Sequence, residues 1–191
     1  MSLSDGFDVR ILLPMVLGGA DIRAALAVIR EVADGEGVRK LPPIGALIET
    51  PAAVFSIDEI LAQSDFVSIG TNDLTQFILA ADRNALATMD DYTVLHPSVL
   101  RAIRYVIKAA EASEKPVAVC GEAAADPLIA GLLVGLGIRH LSMSPISALR
   151  VRLALCESNH RELCETADAA LACDSAEAVI ALLGRSPQAP L

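Results

Sequence analysis

Glu49, Asn72, Asp73, Arg83 and Cys120 each stand at or just after the end of a short apolar run. The runs are Ile44 to Ile48, Phe66 to Gly70 and Val117 to Cys120, and Asp82-Arg83-Asn84 follows the second of them. In a parallel α/β layout, polar groups at the carboxyl ends of consecutive strands converge on one face, where such folds place their chemistry. Glu49 and Asp73 carry two readings. Two carboxylates at neighbouring strand ends repel each other unless a positive charge lies between them, and a hard divalent cation such as Mg²⁺ supplies one through oxygen ligands and retained waters. Alternatively each acid caps the amino terminus of a helix. Asn72, after Gly70-Thr71, either turns its amide and neighbouring N–H groups toward an anion or serves as an ordinary helix cap. Arg83 either offers a planar fork to a phosphate or carboxylate or is a solvated surface arginine. Cys120, followed by Gly121, is either a thiol at the mouth of a site or a small buried hydrophobe.

Positioning such groups takes strand-helix units, and the hydrophobic period supplies them. Val9 to Val16 reads as a strand ending at Gly18-Gly19, followed by a helix with Ile22, Ala25, Leu26, Ile29 and Ala33 on one face. A loop containing Gly35, Gly37, Pro42 and Pro43 leads to strand Ile44 to Ile48, where Thr50-Pro51 supplies an N-cap and a first-turn proline. Strand Phe66 to Gly70 precedes a helix from Leu74 to Ala81 and an irregular stretch from Asp82 to Leu95. Pro97 opens a helix on which Val99, Leu100, Ile103, Val106, Ile107 and Ala110 hold the helical period. Strand Val117 to Cys120, helix Pro127 to Leu136, strand His140 to Ser144 and a helix from Pro145 to Leu155 complete the pattern. Residues 1–157 form this body, and residues 158–191 read as peripheral helices and a tail of the same domain. Five strands of near-continuous aliphatic character, each followed by a helix, predict parallel pairing and an α/β class. Five units suit a small doubly wound sheet or part of an eight-unit barrel.

Composition narrows the function. The chain has 191 residues, a net charge of -9 and 3% aromatic residues, so its core is aliphatic and it lacks the basic footprint of a nucleic-acid binder. No apolar stretch reaches the roughly 18 residues of a membrane span, and the first residues lack the apolar core of a secretory signal. The expectation is a cytoplasmic protein with metabolite or protein partners. Cys120, Cys156, Cys164 and Cys173 show no metal-ligand spacing with one another or with His96, His140 and His160, and are expected as free thiols. From Leu41 to Asp82 there is no Lys or Arg, whereas Glu49, Asp58, Glu59, Asp65, Asp73 and Asp82 are acidic. An anion bound here needs a cation from elsewhere.

Six strings occur in one order: Ile48-Glu49-Thr50-Pro51-Ala52-Ala53, Ser68-Ile69-Gly70-Thr71-Asn72-Asp73-Leu74-Thr75-Gln76, Ala81-Asp82-Arg83, His96-Pro97-Ser98-Val99-Leu100, Val119-Cys120-Gly121-Glu122 and Leu141-Ser142-Met143-Ser144-Pro145. From about Val9 to Leu155 the chain resembles the carboxyl-terminal phosphoenolpyruvate-binding domain of the phosphoenolpyruvate-protein phosphotransferases, the enzyme I family of the sugar phosphotransferase system. The resemblance implies a phosphoenolpyruvate-type (β/α)₈ TIM barrel, of which this chain would supply about strands four to eight. It further implies that Glu49 and Asp73 hold Mg²⁺, that Asn72, the Asp73 backbone and Arg83 hold phosphoenolpyruvate, and that Cys120 is the proton donor. Family enzymes dimerise through this domain and pass the phosphoryl group onward to a histidine-containing phosphocarrier protein.

The acceptor histidine of that family lies in a Gly-Gly-x-x-Ser/Thr-His pattern, and this sequence contains none. The helical region that docks the phosphocarrier protein and the substrate arginines of the early barrel strands are also missing from it. The expectation is a fragment that holds the metal and protonation half of a site and does not complete phosphotransfer unaided. Two other readings remain: a Mg²⁺-dependent aldolase or lyase acting on a pyruvate enolate, and a non-catalytic dimerisation or regulatory module.

Overall fold

The computed structural model describes residues 8–81 and 93–184. Five apolar runs pair there into one all-parallel sheet in the order β1-β2-β3-β4-β5. The strands are β1 (Ile11–Leu13), β2 (Ile44–Ile48), β3 (Phe66–Gly70), β4 (Val117–Cys120) and β5 (His140–Leu141). Each crossover steps to the next neighbour in the same direction. With right-handed crossovers, an order that never reverses puts every connecting helix on the same face, whereas a doubly wound sheet requires a reversal. The sheet therefore has the winding of a (β/α)₈ barrel arc, which hydrophobic period alone left undecided.

The two faces differ as this winding requires. Side chains alternate along a strand, and the register aligns Ala46 with Val67 and Val67 with Val117, then Ile48 with Ile69 and Ile69 with Val119. These side chains are buried in the aliphatic core, together with Ile57 and Ile60 of α3 (Ile57–Leu61) and the apolar face of α5 (Pro97–Ala112). On the opposite face stand Leu12, Gly45 and Phe66 at one level and Leu47, Ser68, Ala118 and His140 at the next. Several of these side chains are small, and Leu12 and His140 are exposed. Phe66 lies over Gly45, where a Cβ would come 2.5 Å from its ring, and Arg10 stacks on that ring at 5.6 Å from the centroid.

Helix starts follow the cap chemistry. α2 (Pro51–Phe55), α5, α6 (Pro127–Gly135) and α7 (Pro145–Glu157) all open on proline, behind Thr50, His96, Asp126 and Ser144, whose side chains accept first-turn N–H bonds. His96 is thus an N-cap through Nδ1, accepting from the Ser98 N–H at 3.2 Å. α1 (Gly19–Gly35) links β1 to β2.

Some boundaries differ from expectation. β1 ends at Leu13 because Pro14 cannot donate to a ladder and Met15 turns left-handed at φ 52. β5 ends at Leu141, although the Ser142 N–H still donates to Val119 O at 2.8 Å. α4 (Thr71–Ile78) begins directly after β3 rather than at Leu74, which puts Asn72 and Asp73 in its first turn. Most of the irregular stretch expected between Asp82 and Leu95 lies outside the described residues.

Past Glu157 come α8 (His160–Ala172) and α9 (Ala176–Leu182). α8 packs against α6, with Ala167 and Ala170 fully buried. The approach is close enough that a Cβ on Gly135 would collide with the Leu163 carbonyl. Among the described residues no helix is long and apolar enough to cross a membrane. Replacing Gly135 with Ala is expected to force α6 and α8 apart and lower unfolding free energy by about 1–3 kcal/mol, read from the urea midpoint.

Candidate functional site

The parallel register brings three strand ends to one level. Ile48 pairs with Ile69 and Gly70 with Cys120, so Glu49, one residue past β2, stands beside Gly70, and Gly70 stands beside Cys120. By the alternation that puts Ser68 and Ala118 on the helix-free face, Gly70 and Cys120 share that face.

Glu49 is 5% exposed, and its Oε1 accepts a hydrogen bond from the Met15 N–H at 2.7 Å. The left-handed backbone of Met15 is costly for a residue with a Cβ, and it aims that N–H at the carboxylate. The other oxygen leans across β3, where a Cβ on Gly70 would lie 3.0 Å from both Glu49 Cβ and Oε2. Glycine at position 70 makes the room the carboxylate occupies. Among the described residues no lysine or arginine pairs with Glu49. Protein interiors favour a buried carboxylate that is met by donors or a cation, and among the described residues the Met15 N–H is the donor Glu49 has.

Asp73 is half-buried and Asn72 exposed in the first turn of α4, where the helix dipole favours an anion. Arg83 lies outside the described residues.

The Cys120 thiol does not point into the aliphatic interior. It is half-buried, and Sγ lies 3.5 Å from both Ser68 Oγ, which donates to it, and the Ile69 carbonyl oxygen, to which the thiol donates. The Thr71 hydroxyl donates to the Cys120 carbonyl at 3.1 Å, tying the end of β4 to the first turn of α4. Gly121 makes that contact possible: at φ 113, a Cβ there would fall 2.5 Å from Thr71 Oγ1 and 3.2 Å from Asn72 Oδ1. All four cysteines are free.

The donor chemistry fits a magnesium ion. Among the described residues no three His, Cys, Asp or Glu side chains are grouped to hold a metal. Mg²⁺ characteristically takes one or two carboxylates and fills its octahedron with waters and substrate phosphate oxygens. Glu49 and Asp73 match that modest protein contribution.

Sequence reasoning passed over Met15, Ser68 and Thr71. Ser68 had a readable signal, a hydroxyl two positions before Gly70 within an otherwise apolar strand. Met15 had none, because its role is a backbone N–H delivered by loop geometry.

A parallel barrel arc with acids and a thiol level at its carboxyl-terminal rim defines an α/β enzyme-type scaffold. Residues 2–160 match the family described as PEP-utilising enzyme, PEP-binding domain, and the chain belongs to that family. It is 39% identical over 186 residues to a phosphoenolpyruvate-protein phosphotransferase of Haloferax volcanii, covering 94% of this chain and 33% of that protein. A multiphosphoryl transfer protein of Xanthomonas campestris is 40% identical over 181 residues, covering 93% of this chain and 21% of the relative. The chain thus spans about a fifth to a third of the length of these relatives. Among solved structures, a citrate lyase from Burkholderia xenovorans superposes with a TM-score of 0.61 at 18% identity, over 93% of this chain and 65% of that one. A pyruvate kinase from Cryptosporidium parvum gives 0.56 at 14% identity, over 84% and 35%. At such identities the likeness is one of fold.

Replacing Gly121 with Ala is expected to break the Thr71–Cys120 tie and impose a strained φ, costing about 1–3 kcal/mol in thermal or urea unfolding.

Proposed function

We propose that this chain is the phosphoenolpyruvate-binding catalytic part of a phosphoenolpyruvate-protein phosphotransferase serving sugar uptake in the cytoplasm. The observation that carries this reading is the levelling of Glu49, Gly70 and Cys120 across three strand ends, with the thiol on the open face. Family membership and the names of the relatives support it.

In this reading Glu49 and Asp73 would hold Mg²⁺, and Asn72, the Asp73 backbone and Arg83 would hold phosphoenolpyruvate. Magnesium held there would screen the negative charge of the phosphate and of the enolate that forms as the phosphoryl group departs. The bond between phosphorus and the enol oxygen breaks, and its electron pair stays on oxygen. The phosphoryl group goes to a histidine outside this sequence. Cys120 then gives its S–H proton to the methylene carbon, the carbon–oxygen double bond forms, and pyruvate and a thiolate remain. With an unperturbed pKa of about 8.5, a thiol is mostly protonated near neutrality and can act as this acid.

The acidic stretch from Leu41 to Asp82 leaves the anion dependent on Arg83, the metal and helix N–H groups. In this reading the residues present supply the binding and protonation half of the reaction. The histidine-containing phosphocarrier protein would be reached through other domains of the full enzyme. Self-association into a homodimer would cover the outer edges of β1 and β5, which pair with no further strand among the described residues.

Calorimetric titration with phosphoenolpyruvate is expected to show binding that requires Mg²⁺ and weakens by about tenfold or more in Glu49→Gln and in Asp73→Asn. Binding indifferent to both metal and substitutions would sink the assignment and favour a non-catalytic module. In D₂O with Mg²⁺, exchange of the pyruvate methyl protons, followed by proton NMR, is expected to slow by about a hundredfold or more in Cys120→Ala. An unchanged rate would remove Cys120 as the acid.

A further inference from the structure

Ser68 is a polar side chain in an apolar strand, and it is 6% exposed. Its neighbours along β3 are Val67 and Ile69, and across the sheet it is level with Leu47 on β2 and Ala118 on β4. A buried hydroxyl needs a partner, since leaving one unmade costs about 1–3 kcal/mol. The partner of Ser68 Oγ among the described residues is the sulfur of Cys120, at 3.5 Å. The sulfur has a second contact of opposite sense, with the Ile69 carbonyl oxygen at 3.5 Å. The carbonyl can only accept, so it holds the thiol proton while the proton is present. The hydroxyl can donate, so it serves the sulfur after the proton has left.

We propose that Ser68 is the positioning residue of Cys120, its hydroxyl fixing the direction of Sγ and steadying the thiolate left behind when the thiol gives up its proton. The inference rests on the proton-donor role of Cys120 given above. Among the described residues, the titratable groups on the elements around Sγ are Glu49 after β2, Asp73 on α4, Glu122 after Gly121, and His140 on β5, which pairs with Ala118 of β4. Three of the four are acids. Among the described residues of these strand ends the sulfur has no lysine or arginine partner, and a directed O–H dipole is what β3 offers it. In the proton transfer the S–H bond breaks, a C–H bond forms on the methylene carbon, and the electron pair stays on sulfur. Solvent later returns a proton. A hydroxyl already aimed at Sγ lowers the cost of that charge without reorganising at the moment of reaction.

The test reads the thiol itself. Alkylation of Cys120 by iodoacetamide is followed across pH in EDTA, with Cys156, Cys164 and Cys173 resolved separately by peptide mass spectrometry. Ser68→Ala is expected to move the midpoint of the Cys120 profile upward by about half to one pH unit, because the thiolate loses a donor. At pH 7 the rate should fall by about twofold to fivefold, the smaller thiolate fraction being partly offset by a more nucleophilic sulfur. Ser68→Thr, which keeps the hydroxyl, should hold the midpoint near that of the parent. A midpoint in Ser68→Ala that is unchanged or lower overturns the proposal, as does a Ser68→Thr shift as large as that of Ala. Should Ser68→Ala not fold by circular dichroism, Ser68→Gly removes the same hydroxyl and is read by the same criterion. The assay contains neither metal nor phosphoenolpyruvate. Failure of pyruvate exchange alongside a normal alkylation shift would therefore strike the proposed reaction and leave the pairing of Ser68 with Cys120 standing.

Discussion

Parallel pairing of β2, β3 and β4 in an unreversed order is the constraint on which the rest of the structure depends. Their register brings Glu49, Gly70 and Cys120 to one level although they are separated by long stretches of sequence. The same order sends every crossover helix to one side, so branched aliphatic residues such as Ile48, Val67, Ile69 and Val119 pack there against the helices. The other side carries Gly45, Ser68 and Ala118 among larger residues and, at its carboxyl-terminal edge, the groups capable of chemistry. Burial on one face thus anchors the strands whose ends carry the site.

Close approach does the finer positioning. Gly70 gives the Glu49 carboxylate the space a methyl group would take, and Gly121 lets the end of β4 come against Thr71. The Thr71 hydroxyl then connects the thiol strand to the turn that carries Asn72 and Asp73. Met15 adds a fourth strand end to the assembly, since its N–H crosses from the loop after β1 to Glu49.

The electrostatic character follows from the same economy of cations. A carboxylate that is 5% exposed and has no basic partner among the described residues is stable only if something positive or strongly polar is supplied to it. Around the sulfur, the Ser68 hydroxyl and the Ile69 carbonyl are the polar partners among the described residues. Such a surface suits an anionic substrate only when that substrate arrives with a counter-ion.

Much of this was legible in the chain itself. β2, β3 and β4 run as the apolar pattern predicts, because central parallel strands buried on the helix side need continuous aliphatic runs. The proline-led helix starts follow equally from local cap chemistry. Glu49, Asn72, Asp73 and Cys120 could be singled out because each interrupts or terminates such a run. Their types and spacing were determined by sequence alone, as were the family likeness and the deficit of basic residues between Leu41 and Asp82. Tertiary structure decided the unreversed strand order, the face on which Cys120 lies, and the roles of Met15, Ser68 and Thr71. Those depend on register and on distances between segments far apart in the chain, and hydrophobic period records which side of a strand is apolar but not which strand lies beside it.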